Sequence, residues 1–392
     1  MKKVLAFLLI ILMSFASTIT VNAINETNNT AEMYKLECED LNVDCKAAIL
    51  IEAETGEVLY CKNEDASLPL ASVTKIMTLL LVMEAIRDAK ISLDDEVLIS
   101  EHAASMGGSQ VFLREGERMS VKELIKCAVI ASANDACVAL SEHVAGSESS
   151  FVDKMNQRAK ELNMLGANFE NTTGLDDTTQ NHVCSARDIA IMSRELIKYE
   201  LITDYSSTWQ DEIRNGEFIL TNTNRLVRYY DGCTGLKTGS TDKAGFCISA
   251  SAKRDGMHLV AVVMGAETRD KRNSISRSML DYGFANFALY SKSEEEIGQI
   301  NVNHGKGNKA AVFAPPISKI INKSDKGKIE RVFNMPEELS APLTCGDEIG
   351  YVDYLINGKT LCREKLFVKD DVGKIGFKDL YLRLIMYYFT GK

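Results

Sequence analysis

At 392 residues, 45% of them hydrophobic, the chain carries more apolar side chain than one core absorbs, which points to two domains. Acidic residues outnumber basic ones by 55 to 45, a net charge of −10, so there is no basic field to attract nucleic acid and no nucleic-acid partner is expected. The ten cysteines include no Cys-x-x-Cys pair and the five histidines lie far apart, so zinc-site spacing is absent and neither a metal nor a cofactor is implied.

The first segment, MKKVLAFLLIILMSFASTITVNA, has two lysines, an apolar run from Val4 to Met13 and a small-residue ending at Val21-Asn22-Ala23. That is the anatomy of a signal peptide over residues 1–23, and it predicts export. Residues 47–63 read as two strands around Thr55-Gly56, an antiparallel hairpin. Pro69 then precedes a long apolar stretch from Ala71 to Ala85, which favours a buried helix over a strand. Helical patterns recur over 120–145, 149–164 and 185–198, the last opened by Ser185 with Asp188 three residues on, a capping arrangement. Strands resume over 245–266 as a hairpin across Asp255-Gly256, and a helix is predicted from Arg272 to Leu289. Strands, a helical insert, more strands and a closing helix argue for an α+β domain over 33–290. The charged stretch 291–298, SKSEEEIG, reads as a linker. Beyond it, 298–370 is predicted to be a small all-β domain, because the sequence alternates around Asn357-Gly358, a strong hairpin signal. Cys127, Cys137 and Cys247 sit in apolar stretches and read as small buried hydrophobes, while other cysteines remain open to disulfide formation.

Three short motifs follow one another: Ser72-x-x-Lys75, then Ser132-Ala133-Asn134, then Lys237-Thr238-Gly239. A chain this long contains about one or two Ser-x-x-Lys matches by chance, and a second does occur at Ser240 and Lys243. The ordered set of three carries the signal. Ser72 and Lys75 lie on one helix face, so the lysine nitrogen can reach the hydroxyl. A serine hydroxyl is a poor nucleophile until a base removes its proton, and a lysine serves only when uncharged. A second cation such as Lys237 in the same desolvated site would disfavour protonation of Lys75. Ser72 at a first helical turn also has backbone N–H groups suited to a developing oxyanion. These residue types together predict acyl transfer.

The set Ser-x-x-Lys, Ser-x-Asn and Lys-Thr-Gly is similar to the signature of class A β-lactamases and penicillin-binding proteins. With NTTGLDD, SARDIA, GLKTGSTDKAGFC and VVMGAETRDKR beside it, the chain resembles the low-molecular-mass penicillin-binding proteins, the serine D-alanyl-D-alanine carboxypeptidases, over most of 45–290. The resemblance implies a β-lactamase/transpeptidase-like domain, an antiparallel sheet with flanking helices and a helical insert, followed by the small β domain. It implies removal of the terminal D-alanine from peptidoglycan stem peptides ending in D-Ala-D-Ala, with β-lactam antibiotics as covalent inhibitors. Ser72 would be the acylated nucleophile and Lys75 its base. Ser132 would relay a proton to the leaving D-alanine, and Asn134 would hold the substrate amide. Lys237 and Thr238 would bind the terminal carboxylate, Gly239 completes their motif, and the N–H groups of Ser72 and Ser240 would form the oxyanion hole. Arg272 falls where the family has an arginine after the third motif, with Arg269 close by.

Class A β-lactamases deacylate with a glutamate two residues before Glu-Leu-Asn, but ahead of Glu161-Leu162-Asn163 that position is Ala159, so efficient β-lactamase activity is not expected. His102, His143, His182, His258 and His304 sit in no recognisable elbow and read as surface or loop residues. A non-catalytic peptidoglycan- or β-lactam-binding receptor and a DD-endopeptidase remain the alternatives. In the tail, Phe377, Leu380, Tyr381, Leu384, Tyr387 and Tyr388 share a helical face, extended by Ile385 and Phe389, with Asp379, Arg383 and Thr390 opposite. This predicts an amphipathic helix within 374–392, suited to a membrane interface and too short to span, or else docked on the β domain. The resemblance favours a tether to the extracytoplasmic face of the bacterial cytoplasmic membrane.

Overall fold

The computed structural model describes residues 32–177 and 179–390, so the expected signal peptide lies outside the described residues. Strand β1 (Ala47–Glu52) sends Ala47, Ile49 and Ile51 into one core and Ala48 and Leu50 into another, the period-2 alternation of a strand covered on both faces. It turns at Thr55-Gly56 into β2 (Val58–Lys62). Three strands from far down the chain complete an antiparallel sheet: β3 (Cys233–Thr241), β4 (Gly245–Arg254) and β5 (Met257–Ala266), in the order β2-β1-β5-β4-β3. The expected hairpin at Asp255-Gly256 joins β4 to β5.

Most of the helical insert lies between β2 and β3. A 3-10 turn (Ala71–Thr74) leads into α1 (Lys75–Arg87), followed by α2 (Val121–Ile130), α3 (Asn134–Ala145), α4 (Glu148–Glu161), α5 (Ala186–Leu196) and the one-turn α6 (Leu226–Tyr229). The α5 helix packs on both the sheet and α1, and α1 on α3. Serines start three of these helices: Ser120, Ser147 and Ser185 accept from the N–H of Glu123, Ser150 and Asp188. Helix α7 (Arg269–Asn286), capped by Thr268, covers the other face of the sheet. The architecture is the α+β arrangement expected from the sequence.

Three boundaries differ from the sequence reading. The predicted helix over 120–145 is two helices, α2 and α3, because Ser132 takes a left-handed conformation (φ 62°) and breaks the run. The helix predicted to end at Leu289 stops at Asn286, and Phe287–Lys292 forms strand β6, an apolar run that periodicity does not separate from a helix end. The stretch 291–298 is not a linker: it spans the end of β6 and the start of β7 (Glu295–Asn303). Its charges face solvent or ion pairs, and Glu295 contacts both Lys292 and Arg331.

The C-terminal sheet is all β, as predicted. It takes β8 (Lys309–Ala314), β10 (Ile329–Asn334), β11 (Glu338–Ser340), β12 (Glu348–Ile356) and β13 (Lys359–Val368) in the order β10-β12-β13-β8-β7-β11, while β9 (Ile317–Asn322) pairs with β6. The hairpin at Asn357-Gly358 joins β12 to β13. Helix α8 (Phe377–Thr390) closes the described chain with its apolar side chains exposed. All ten cysteines are free thiols, with Cys127, Cys137 and Cys247 fully buried.

Candidate active site

Ser72 stands in the 3-10 turn ahead of α1, and the turn is held by a buried chain of hydrogen bonds. The N–H of Glu170 donates to Nδ1 of His182 (2.9 Å), so Nε2 carries the ring proton and donates to Thr74 Oγ1 (2.7 Å). The Thr74 hydroxyl in turn donates to the carbonyl of Ala71 (2.8 Å), a residue in the left-handed region (φ 48°) immediately before Ser72. Burial pushes His182 down to about 4 and keeps it neutral, as an acceptor at Nδ1 requires. His182 is a loop residue, as expected, but a buried one, and His258 departs from the surface-or-loop reading because it sits in β5 against the Thr234 hydroxyl. At Gly174 an added Cβ would lie 1.9 Å from the Ala71 carbonyl oxygen, so the 171–175 loop approaches the Ser72 turn backbone to backbone.

One turn along, Lys75 Nζ lies 2.8 Å from Ser72 Oγ and donates to the carbonyl of Thr173 (2.8 Å). Lys75 is fully buried, and that burial, ahead of any neighbouring charge, lowers its pKa to about 8. The sequence reading assigned the lowering to Lys237. In the structure both lysines are depressed first by burial, with the charge of Lys75 adding to the effect on Lys237.

The opposite wall comes from the break between α2 and α3 and from β3. Lys237 Nζ donates to Ser132 Oγ (2.8 Å) and to the carbonyl of Thr238 (2.9 Å). Thr238 donates to Thr223 Oγ1 (2.8 Å). Asn134 Nδ2 donates to the carbonyl of Gly107 (2.7 Å), while its Oδ1 is buried with no partner among the described residues. Asp135 accepts from the N–H groups of Val111, Leu113 and Ala136, which fixes the 107–113 loop over α3. An added Cβ on Gly239 would lie 2.8 Å from the Ser72 nitrogen and 2.9 Å from that of Val73, so β3 runs against the Ser72 turn.

These walls enclose a cavity of about 700 Å³ lined by Ser72, Ser132, Thr238, Gly239, Ser240 and Arg272, with Lys75, Lys237 and Asn134 buried behind it. Every sequence-predicted site residue is therefore in one place. Arg272 is buried and lowered to about 10 by that burial, with Arg269 and Arg225 adding repulsion. Arg269 is exposed at the rim, so both arginines reach the cavity. Lys243 of the second Ser-x-x-Lys match is exposed and donates to the Asp176 carbonyl (2.8 Å). Ala159 is buried in α4, which places no carboxylate there. The sequence reading missed Thr173, which the Asx turn at Asn171 could have signalled. It also missed Trp209, Arg225, Arg228 and Tyr229, which lie in loops and short elements without a periodic pattern.

Two serines, each backed by a buried lysine and facing one cleft beside an antiparallel sheet, define a penicillin-recognising serine acyltransferase. Residues 33–268 match the family model described as D-alanyl-D-alanine carboxypeptidase, and 284–374 match that of the penicillin-binding protein 5 C-terminal domain. Over 384 residues the chain is 41% identical to the D-alanyl-D-alanine carboxypeptidase DacF of Bacillus subtilis (strain 168), covering 96% of both. It is similar to the solved penicillin-binding protein 5 from Haemophilus influenzae (31% identity, TM-score 0.76, 86% of this chain and 100% of that one). It is also similar to penicillin-binding protein D2 from Listeria monocytogenes in the ampicillin-bound form (30% identity, TM-score 0.58, 63% and 100%). The chain belongs to the D-alanyl-D-alanine carboxypeptidase family, the low-molecular-mass penicillin-binding proteins, and is a serine carboxypeptidase of that class.

Proposed function

We propose that the enzyme removes the terminal D-alanine of peptidoglycan stem pentapeptides through an acyl-enzyme on Ser72. The observation that carries this assignment is the 2.8 Å contact between Ser72 Oγ and a fully buried Lys75. Neutral Lys75 takes the hydroxyl proton as Oγ attacks the carbonyl carbon between the two D-alanines. The N–H groups of Ser72 and Ser240 stabilise the oxyanion. Ser132, which accepts a hydrogen bond from Lys237, relays the proton held by Lys75 to the leaving amine, which returns Lys75 to its neutral form. Free D-alanine departs, and water then hydrolyses the ester to regenerate Ser72. Lys237, Thr238 and Arg272 pair with the terminal carboxylate, and the partnerless Oδ1 of Asn134 accepts the substrate amide N–H. The exposed aliphatic and aromatic side chains of helix α8 support a tether to the extracytoplasmic face of the cytoplasmic membrane.

A β-lactam should leave a stable adduct whose mass falls on the peptide containing residues 70–79. Label on Ser132 or Ser240 alone, or no label, would overturn the assignment. The base role sets a pH dependence as well. Burial lowers Lys75 to about 8, so the neutral form grows as pH rises through that value. The second-order rate of labelling should climb between pH 6.5 and 9 with a midpoint near 8. A flat profile over that range would remove Lys75 as the base.

A further inference from the structure

Thr74 and His182 take no part in the acyl-transfer steps, yet both are buried beside Ser72, and their hydrogen bonds run one way. A threonine hydroxyl carries one proton, and that of Thr74 goes to the Ala71 carbonyl (2.8 Å), so in the 2.7 Å contact with His182 Nε2 the imidazole is the donor. His182 Nδ1 accepts the Glu170 N–H behind it (2.9 Å). The chain of donors therefore ends on the Ala71 oxygen. That oxygen belongs to the same planar peptide unit as the Ser72 N–H, so whatever fixes the direction of one fixes the other. Hydrogen bonds in series also polarise one another, which strengthens this N–H as a donor.

The peptide needs such support. Ala71 lies in the left-handed region (φ 48°), which a residue with a Cβ adopts only at a cost. Gly174 comes so close that an added Cβ would stand 1.9 Å from the Ala71 oxygen and 2.3 Å from its carbonyl carbon, which leaves the peptide little room to rotate. The loop that carries Gly174 is anchored in turn. Thr172 donates from its N–H (3.0 Å) and its hydroxyl (2.7 Å) to Glu148 Oε1 on α4, and its carbonyl accepts from the Thr78 hydroxyl on α1 (2.7 Å). The nitrogen end of the Ala71–Ser72 peptide faces β3, where an added Cβ on Gly239 would stand 2.8 Å from it.

We infer that Thr74 and His182 are positioning residues for acylation, which aim the Ser72 N–H at the developing oxyanion by holding the Ala71–Ser72 peptide from its carbonyl end. This rests on the Ser72 acyl-enzyme reading and adds to it two residues that touch no substrate. An oxyanion forms only on the way through the transition state, so losing the support should slow acylation and leave ground-state binding alone. The test follows β-lactam labelling of the full-length enzyme over a range of drug concentrations, which separates the non-covalent dissociation constant from the limiting acylation rate. T74V keeps the branched shape and loses the hydroxyl. It should lower the limiting rate about tenfold, short of the 10² to 10³ that follows outright loss of a donor, with the dissociation constant within about twofold of wild type. T74S keeps the hydroxyl and should recover most of the rate. H182L should also slow acylation, and because His182 acts through Thr74, adding it to T74V should cost nothing further. A T74V enzyme acylated at the wild-type limiting rate overturns the inference, as does a loss carried by the dissociation constant alone or a T74S enzyme as slow as T74V. A double variant slowed by the product of the two single effects overturns it as well, since His182 would then act elsewhere. If H182L gives no cooperative melt, the comparison of T74V with T74S decides. A wild-type enzyme that is labelled on Ser72 but releases no D-alanine overturns the carboxypeptidase reading and leaves the inference to the acylation rates; one that is not labelled on Ser72 removes both.

Discussion

Replacing Gly239 with alanine should lower the rate of β-lactam labelling, and of D-alanine release, by a factor of about 10² to 10³. The new methyl would stand 2.8 Å from the Ser72 nitrogen, 2.9 Å from the Val73 nitrogen and 3.0 Å from the Leu70 carbonyl oxygen. All three are backbone atoms, so no side chain can swing away to make room. The turn that carries Ser72 is itself fixed by Thr74, His182 and the Gly174 contact, and β3 is held by pairing along its length with β4. The methyl therefore enters the space in front of the Ser72 N–H, where the oxyanion is proposed to sit, or it forces β3 outward and carries Thr238 and Ser240 with it. Either result removes at least one oxyanion donor. Labelling kinetics of G239A beside a thermal melt check this. A cooperatively melting variant that is labelled at the wild-type rate would show that the strand does not press on the Ser72 turn.

The Ser72–Lys75 pair is legible in the sequence because helical spacing is a short-range rule. Ser72 and Lys75 meet three residues apart whatever the rest of the chain does. Lys237 meeting Ser132 is a long-range fact, 105 residues apart in sequence, that no periodicity signals; the family resemblance put both residues at one site without pairing them. What the sequence hid was set by tertiary context. Ser132 takes a left-handed conformation that its residue type does not announce, and this turns one predicted helix into two and points its hydroxyl at Lys237. His182 carries no motif, yet the fold buries it and makes it a link in the support of Ser72. The acidic run 291–298 reads as a linker because its composition is polar, but a strand of an antiparallel sheet tolerates one solvated face and an ion pair with Arg331. Arg225 and Arg228 lie on a single helical turn, too short for any periodic signal.

Removing α8 should abolish sedimentation of the enzyme with lipid vesicles while D-alanine release from soluble peptides stays near the full-length rate. The structure also moves the cut site. Truncation after Asp371 would delete Val372, a buried residue whose N–H and carbonyl both bond to Leu343, along with the Gly373 carbonyl that accepts from Lys306 and the Ile375 N–H that donates to His304. Those contacts belong to the β domain, so the cut belongs after Gly376. From Phe377 onward most of the apolar side chains are exposed, Phe377 at 87%, Tyr388 at 83% and Phe389 at 77%, with Leu382 and Met386 exposed as well, so no apolar face of the helix is docked on the β domain, which it meets through the Asp379–Lys306 ion pair. The apolar surface is thus wider than the single face read from the sequence. At 14 residues the helix is about 21 Å long, short of the roughly 30 Å hydrocarbon layer, and among the described residues no helix is long and apolar enough to cross a membrane. A short helix of exposed aliphatic and aromatic groups gains most by lying in the interface, with its tyrosines at headgroup depth. Full-length protein that stays in the supernatant, or a truncated form that still sediments, would rule out α8 as the anchor. Concentration-dependent dimers formed by the full-length chain alone, in place of vesicle binding, would assign the same surface to a second copy.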